Sequence, residues 1–148
     1  MAPHFGLIDP DKLSRKEATL IRSKLHWRCG RRRIREGKTA SGVATLYDAL
    51  LSGMRWYIMD NLMKGPQAFS EEELENERFV FSQLRKAGKI GPHFDLNKIQ
   101  DLVDMALMEE DIQADQDQFV EQLERFLTGI HILPFEESEL PPEDPATF

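Results

Sequence analysis

Cysteine is nearly absent from this 148-residue chain. Cys29 stands alone, so no internal disulfide can form, which fits a reducing compartment and a packed thiol rather than a nucleophile. No apolar run approaches the roughly 18 residues that a membrane-spanning helix needs, and the opening MAPHFGLIDPDK lacks the basic-then-apolar layout of a signal peptide. A cytoplasmic chain without membrane attachment is the expectation. The histidines His4, His26, His93 and His131 are scattered without metal-ligand spacing, and no serine sits in a G-x-S-x-G elbow. Gly37-Lys38-Thr39 ends like a phosphate-binding loop, but Arg32 occupies the place of its first glycine and no strand precedes it. The acidic run from Glu109 to Asp117 lacks the central glycine and closing glutamate of a calcium loop. Neither a metal nor a cofactor is expected.

What the chain does have is helical periodicity. The longest such pattern spans residues 38–64, where Val43, Leu46, Leu50, Met54, Ile58 and Leu62 recur at intervals of three and four and line one helix face. Gly42, Ala49 and Gly53 form a second, small-residue set that lets a neighbouring helix approach the backbone. Before it, Ser14 and Glu17 make a capping-box start for a helix from about Leu13 to Glu36. Its stripe is Ala18, Ile21, Leu25 and Cys29, with Gly30 a point where it should bend or fray. Gly37 should stop it, and Thr39 or Ser41 restart the chain, so a short link predicts an antiparallel hairpin.

Ser70 and Glu73, with Phe69 and Leu74 as a hydrophobic staple, open a third helix that Gly88 ends. Asp95 caps a fourth with Leu96, Ile99, Val103, Ala106 and Leu107 inward. Asp115 starts a fifth with Phe119, Leu123, Phe126, Leu127 and Ile130 inward. No convincing strand is present. The predicted architecture is all-α, a five-helix up-and-down bundle built on the long antiparallel hairpin. Residues 1–11 form an extended lead, 12–133 the bundle domain and 134–148 an acidic, proline-rich, mobile tail.

Charge is divided unevenly. Residues 1–64 carry 13 Lys/Arg against 6 Asp/Glu, whereas residues 65–148 carry 6 against 20. On the first helix Lys24, Arg28, Arg31 and Arg35 are spaced four, three and four apart and so share one side, with Arg32 and Arg33 beside them. Such a ridge can contact phosphates through planar guanidinium forks, with Trp27 or Trp56 as a stacking surface. Equally, it can pair with the acidic helices of the second half.

The stretch RCGRRRIREGKTASGVATLYDALLSGMRWYI resembles the HEPN superfamily of small helical domains. There a long helix and a glycine-containing turn precede a helix with an alanine and a tyrosine–alanine step, for which Ala44 and Leu46-Tyr47-Asp48-Ala49 stand here. The resemblance implies a bundle that often dimerises, with members acting as RNases, toxins or noncatalytic partners of nucleotidyltransferases. It also implies a catalytic arginine and a histidine a few residues later, in a site assembled across two chains. Arg125 and His131, in RFLTGIH, have that spacing, although Phe126 follows the arginine where a polar residue is common and Gly129 should end the helix before His131. In such a pair arginine stabilises the charge of a phosphorane while histidine moves the 2′-hydroxyl proton.

Taken together, these features predict a noncatalytic HEPN-like binding module, homodimeric, acting with a protein or nucleic-acid partner, with Lys24, Arg28, Arg31, Arg32 and Arg35 as the nucleic-acid-binding residues. The alternative is a metal-independent RNase using Arg125 and His131.

Overall fold

The computed structural model describes residues 13–63, 68–91, 94–143 and 145. The extended lead expected over 1–11 lies outside the described residues. The fold is all-α: among the described residues there are six α-helices and no strand. They are α1 (Arg15–Arg35), α2 (Thr39–Tyr57), α3 (Glu71–Glu75), α4 (Glu77–Lys86), α5 (Leu96–Leu107) and α6 (Gln113–Gly129). One π turn, Ile58–Leu62, extends α2, and a 3₁₀ turn, Glu137–Glu139, lies beyond α6.

α2 is the centre of the molecule. Val43, Leu46, Leu50, Met54 and Ile58 have no exposed surface, and the helix touches α1, α4, α5 and α6. Contacts of α1 with α2 and its π turn run in opposite order along the two segments: Lys16 with Asp60, Arg22 with Asp48, Gly30 with Leu46 and Ile34 with Gly42. Small residues set the separation. A Cβ on Gly42 would lie 2.9 Å from Ile34 side-chain carbons, and one on Gly53 would lie 2.7 Å from Leu127 Cδ2. Gly30 does not bend α1, which continues through it to Arg35. It is a place where α2 packs close, since a Cβ there would meet Leu46 Cγ and Cδ2 at 2.7 Å.

The link between the long helices follows from Gly37, whose φ of 78° is open to glycine at little cost. Its N–H donates to Ile34 O at 3.1 Å and that of Lys38 to Arg33 O at 2.8 Å, satisfying carbonyls at the end of α1. Glu36, Gly37 and Lys38 are all that separates the helices, and with Lys38 at the cap position Thr39 is already helical.

The single helix expected from Ser70 to Gly88 is divided, which raises the count from five to six. Ser70 and Glu73 make both halves of the capping box. One turn later Asn76 leaves the helical region and accepts a hydrogen bond from the N–H of Phe79 at 3.0 Å, capping α4 in its turn. Asp95 caps α5 as expected, accepting from Lys98 N–H at 3.2 Å. Leu107, expected inward, faces solvent, and Leu102 is buried in α5. All five inward residues expected after Asp115 are buried, although α6 begins two residues earlier, at Gln113.

Candidate functional site

The basic ridge lies along the outer side of α1, and what lies over it is the C-terminal segment. Residues 134–143, expected to be mobile, run back across α1. Lys24 Nζ donates to Glu139 Oε2 at 2.9 Å. Arg28 Nη1 donates to Glu137 Oε2 at 3.3 Å, and its Nη2 to the carbonyl of Pro141 at 2.8 Å. Arg32 Nε donates to both oxygens of Glu143 at 3.2 and 3.3 Å. Leu140, between these contacts, is only 6% exposed. The ridge therefore does pair with acid, but mainly with this strap rather than with the helices expected to supply it. Among the helices α6 contributes through Glu124, whose Oε2 lies 3.6 Å from Arg31 Nη1.

Arg32 is the most enclosed of the group. Beyond Glu143 it donates through Nη1 to both oxygens of Glu36, 3.1 and 3.3 Å away, and through Nη2 to Cys29 Sγ at 3.4 Å. Burial would lower its pKa, but the hydrogen bonds to Glu36 and Glu143 outweigh it and raise the pKa further. Burial also pushes the Cys29 thiol up, against the opposing pull of Arg33 and Arg32, which keeps it in the unreactive protonated form.

Arg31 and Arg35 face a cleft. With Trp27, Arg28, Phe135 and Glu137 they line a depression of about 440 Å³. Arg31 and Arg35 also line a second hollow, of about 310 Å³, that adjoins α6 at Val120, Glu121 and Glu124. The Arg31 guanidinium stands 5.5 Å from the centre of the Trp27 ring, a cation–π arrangement that desolvates one face of the charge. Of the two tryptophans Trp27 lines this cleft, beside Phe135, and Trp56 does not.

A second polar cluster, between α1 and α2, was not legible as such. Asp48 is held by Arg22, its Oδ2 is 2.8 Å from His26 Nδ1, and Ser52 Oγ donates to the same oxygen at 3.3 Å. Burial would push the Asp48 carboxyl up, yet the hydrogen bonds to His26 and Arg22 together hold it well below the usual carboxylate range. His26 is buried in this cluster. A third cluster ties α2 to α4 and α5. Tyr47 Oη donates to Glu77 Oε2 at 2.8 Å, and Gln100 Nε2 donates to both.

Arg125 and His131 occupy the far end of α6. The Arg125 side chain is 79% exposed and paired with Glu121 one turn back at 2.7 Å. It lines a shallow depression with Lys89, Phe94 and Phe126, which His131 does not line. His131 is exposed and follows the end of α6 with a left-handed φ of 68°, its N–H donating to Thr128 O at 3.1 Å. Among the described residues no group of three or more His, Cys, Asp or Glu could hold a metal ion, and no helix is long and apolar enough to cross a membrane. His4 and His93 lie outside the described residues.

Comparisons with protein-family models, with curated proteins and with solved structures find no match to this chain.

Proposed function

We propose that this chain is a noncatalytic, HEPN-like binding module, an up-and-down bundle on an antiparallel α1–α2 hairpin, that holds an anionic partner against the outer face of α1. The opposite order of the α1–α2 contacts supports the hairpin. One observation carries the binding reading: Arg28, Arg31 and Arg35 rise from one face of a rigid helix into a cleft of about 440 Å³, beside Trp27. Arg31 is already held beside Trp27, and the planar fork of each guanidinium lessens the freedom lost per hydrogen bond when a carboxylate or phosphate is engaged. A partner that is a nucleic acid or an acidic protein uses the same cations.

The test is fluorescence anisotropy of a labelled single-stranded RNA and of a glutamate-rich peptide, each titrated with the protein at several salt concentrations. Binding should fall with salt and weaken when Arg31 and Arg35 are both reversed to glutamate, with a shallower salt slope. If neither probe binds at low salt, or if the reversal changes nothing, the reading fails.

A further inference from the structure

We propose that the face of α1 beneath residues 137–143 is a docking surface for an acidic, leucine-bearing segment of a partner protein, which the chain's own strap occupies until the partner displaces it. The inference rests on the binding reading above and specifies its partner.

The strap shows what this face accepts. Its carboxylates at 137, 139 and 143 meet Arg28, Lys24 and Arg32, so the pattern is Glu-x-Glu-Leu-x-x-Glu read against cations one helical turn apart. Two features select a polypeptide rather than a nucleic acid. Arg28 spends its Nη2 donor on a main-chain carbonyl, that of Pro141, and Leu140 is buried between the charged contacts. A phosphate backbone offers neither a peptide carbonyl nor an aliphatic side chain.

The same contacts are replaceable. The Glu137 side chain is 75% exposed and that of Glu139 46%, so both pairs are screened by water and salt. The more enclosed contacts, Leu140 and the Arg32–Glu143 pair, add to the strap's hold, and its tether gives it an effective concentration on the order of millimolar. A partner segment with the same pattern therefore competes with a local ligand, and its apparent affinity is reduced by the fraction of molecules whose strap is down. Loosening the strap should raise that affinity without altering the surface beneath.

The experiment uses the full chain and a fluorescein-labelled peptide of residues 135–143. The peptide should bind the unaltered protein weakly and the Glu137→Gln/Glu139→Gln/Glu143→Gln variant at least tenfold more tightly. Adding Arg28→Glu to that variant should abolish the gain. If the triple variant melts below the assay temperature, Leu140→Ala replaces it, since it removes the buried side chain and no charge. Equal peptide affinity for the loosened and unaltered proteins overturns the proposal while leaving anion binding at Arg31 and Arg35 intact. A tenfold gain for single-stranded RNA with none for the peptide overturns it in favour of a nucleic acid. A dimer of the unaltered chain that dissociates in the triple variant also overturns it, because the occupant is then the strap of a second copy. Absence of any anion binding by either protein at low salt rejects the binding reading itself.

Discussion

Arg22 grips Asp48 at two points, Nε to Oδ2 at 2.9 Å and Nη2 to Oδ1 at 3.0 Å, and so joins α1 to α2 through a paired, bidentate contact. His26 and Ser52 reach the same carboxylate, whose side chain is 27% exposed. Replacing it removes a charge on which three neighbours depend. Asp48→Asn should lower stability near neutral pH by about 2 kcal/mol, between an exposed pair and a fully buried one because water still reaches the site. The sign with pH follows from the depressed carboxyl. Its stabilisation is fully present above the unfolded-state value of about 4 and is lost as pH falls below it. Denaturation of the two proteins at pH 7 and at successively lower pH should therefore show the gap closing in acid. A gap that is constant with pH would mean that the side chain acts through shape alone.

The approach of α1 to α2 at Gly30 gives a second outcome. An added Cβ meets Leu46 Cγ and Cδ2 at 2.7 Å and Leu46 N at 3.1 Å, and Leu46 is fully enclosed. Gly30→Ala should cost about 1–3 kcal/mol by overpacking, despite the gain in helix propensity. Gly129, the last residue of α6, has nothing within 4 Å of the same added atom. Gly129→Ala should be neutral or stabilising by up to about 1 kcal/mol. Urea denaturation of the pair separates the causes, since a similar loss at both sites would remove close helix approach as the reason for Gly30.

Much of this architecture is legible in local periodicity, and its failures, the break at Asn76 apart, are non-local. The α2 stripe was readable because Val43, Leu46, Leu50, Met54 and Ile58 repeat at helical spacing, and each is fully buried. Ser70 and Asp95 were readable as caps because their partners lie only three residues on. The break at Asn76 escaped because a single side chain accepting one backbone N–H competes with helix continuation, and hydrophobic spacing is unaffected by it. The role of Gly30 depends on Leu46, which no pattern within α1 contains. The basic ridge was visible as a spacing of cations, but its partners Glu137, Glu139 and Glu143 stand more than 100 residues away. No spacing announced the pairing, since glutamates two and four apart meet cations four apart and out of sequence order, and composition alone made that stretch read as a solvated tail.

Tyr47 offers a titration that reports on the α2–α4–α5 junction. Burial, with the hydrogen bond to Glu77 adding to it, pushes its phenol up to about 12, against the opposing effect of Gln100. The chain has 2 tyrosines, so a Tyr57→Phe protein leaves one phenol to follow by ultraviolet absorbance. Its midpoint should lie near 12, against about 10 for an unperturbed tyrosine. Because the folded value is raised, the contribution to stability is complete below about pH 10 and is lost as pH climbs through the folded value. Tyr47→Phe should cost about 1 kcal/mol at neutral pH, since Glu77 keeps Gln100 as a donor. An ordinary midpoint near 10 would indicate that the phenol is solvated and the junction open.

Arg125 and His131 distinguish the binding module from the RNase alternative. The resemblance that singles them out asks for an arginine and a histidine converging on one phosphate. Here Arg125 is tied to Glu121 on the exposed side of α6, whereas His131 sits past the helix end in a left-handed turn. His131→Gly should keep that backbone conformation at little cost, and Arg125→Ala should change stability by less than about 0.5 kcal/mol, as for other exposed pairs. In a noncatalytic module, neither substitution should alter the rate at which a quenched fluorescent RNA is cleaved in the presence of the protein and a chelator. Cleavage by the unaltered chain that both substitutions abolish, with melting temperatures unchanged, would establish the RNase. It would also require two chains to bring the groups together, so activity should then rise with protein concentration as a second-order process until the dimer saturates.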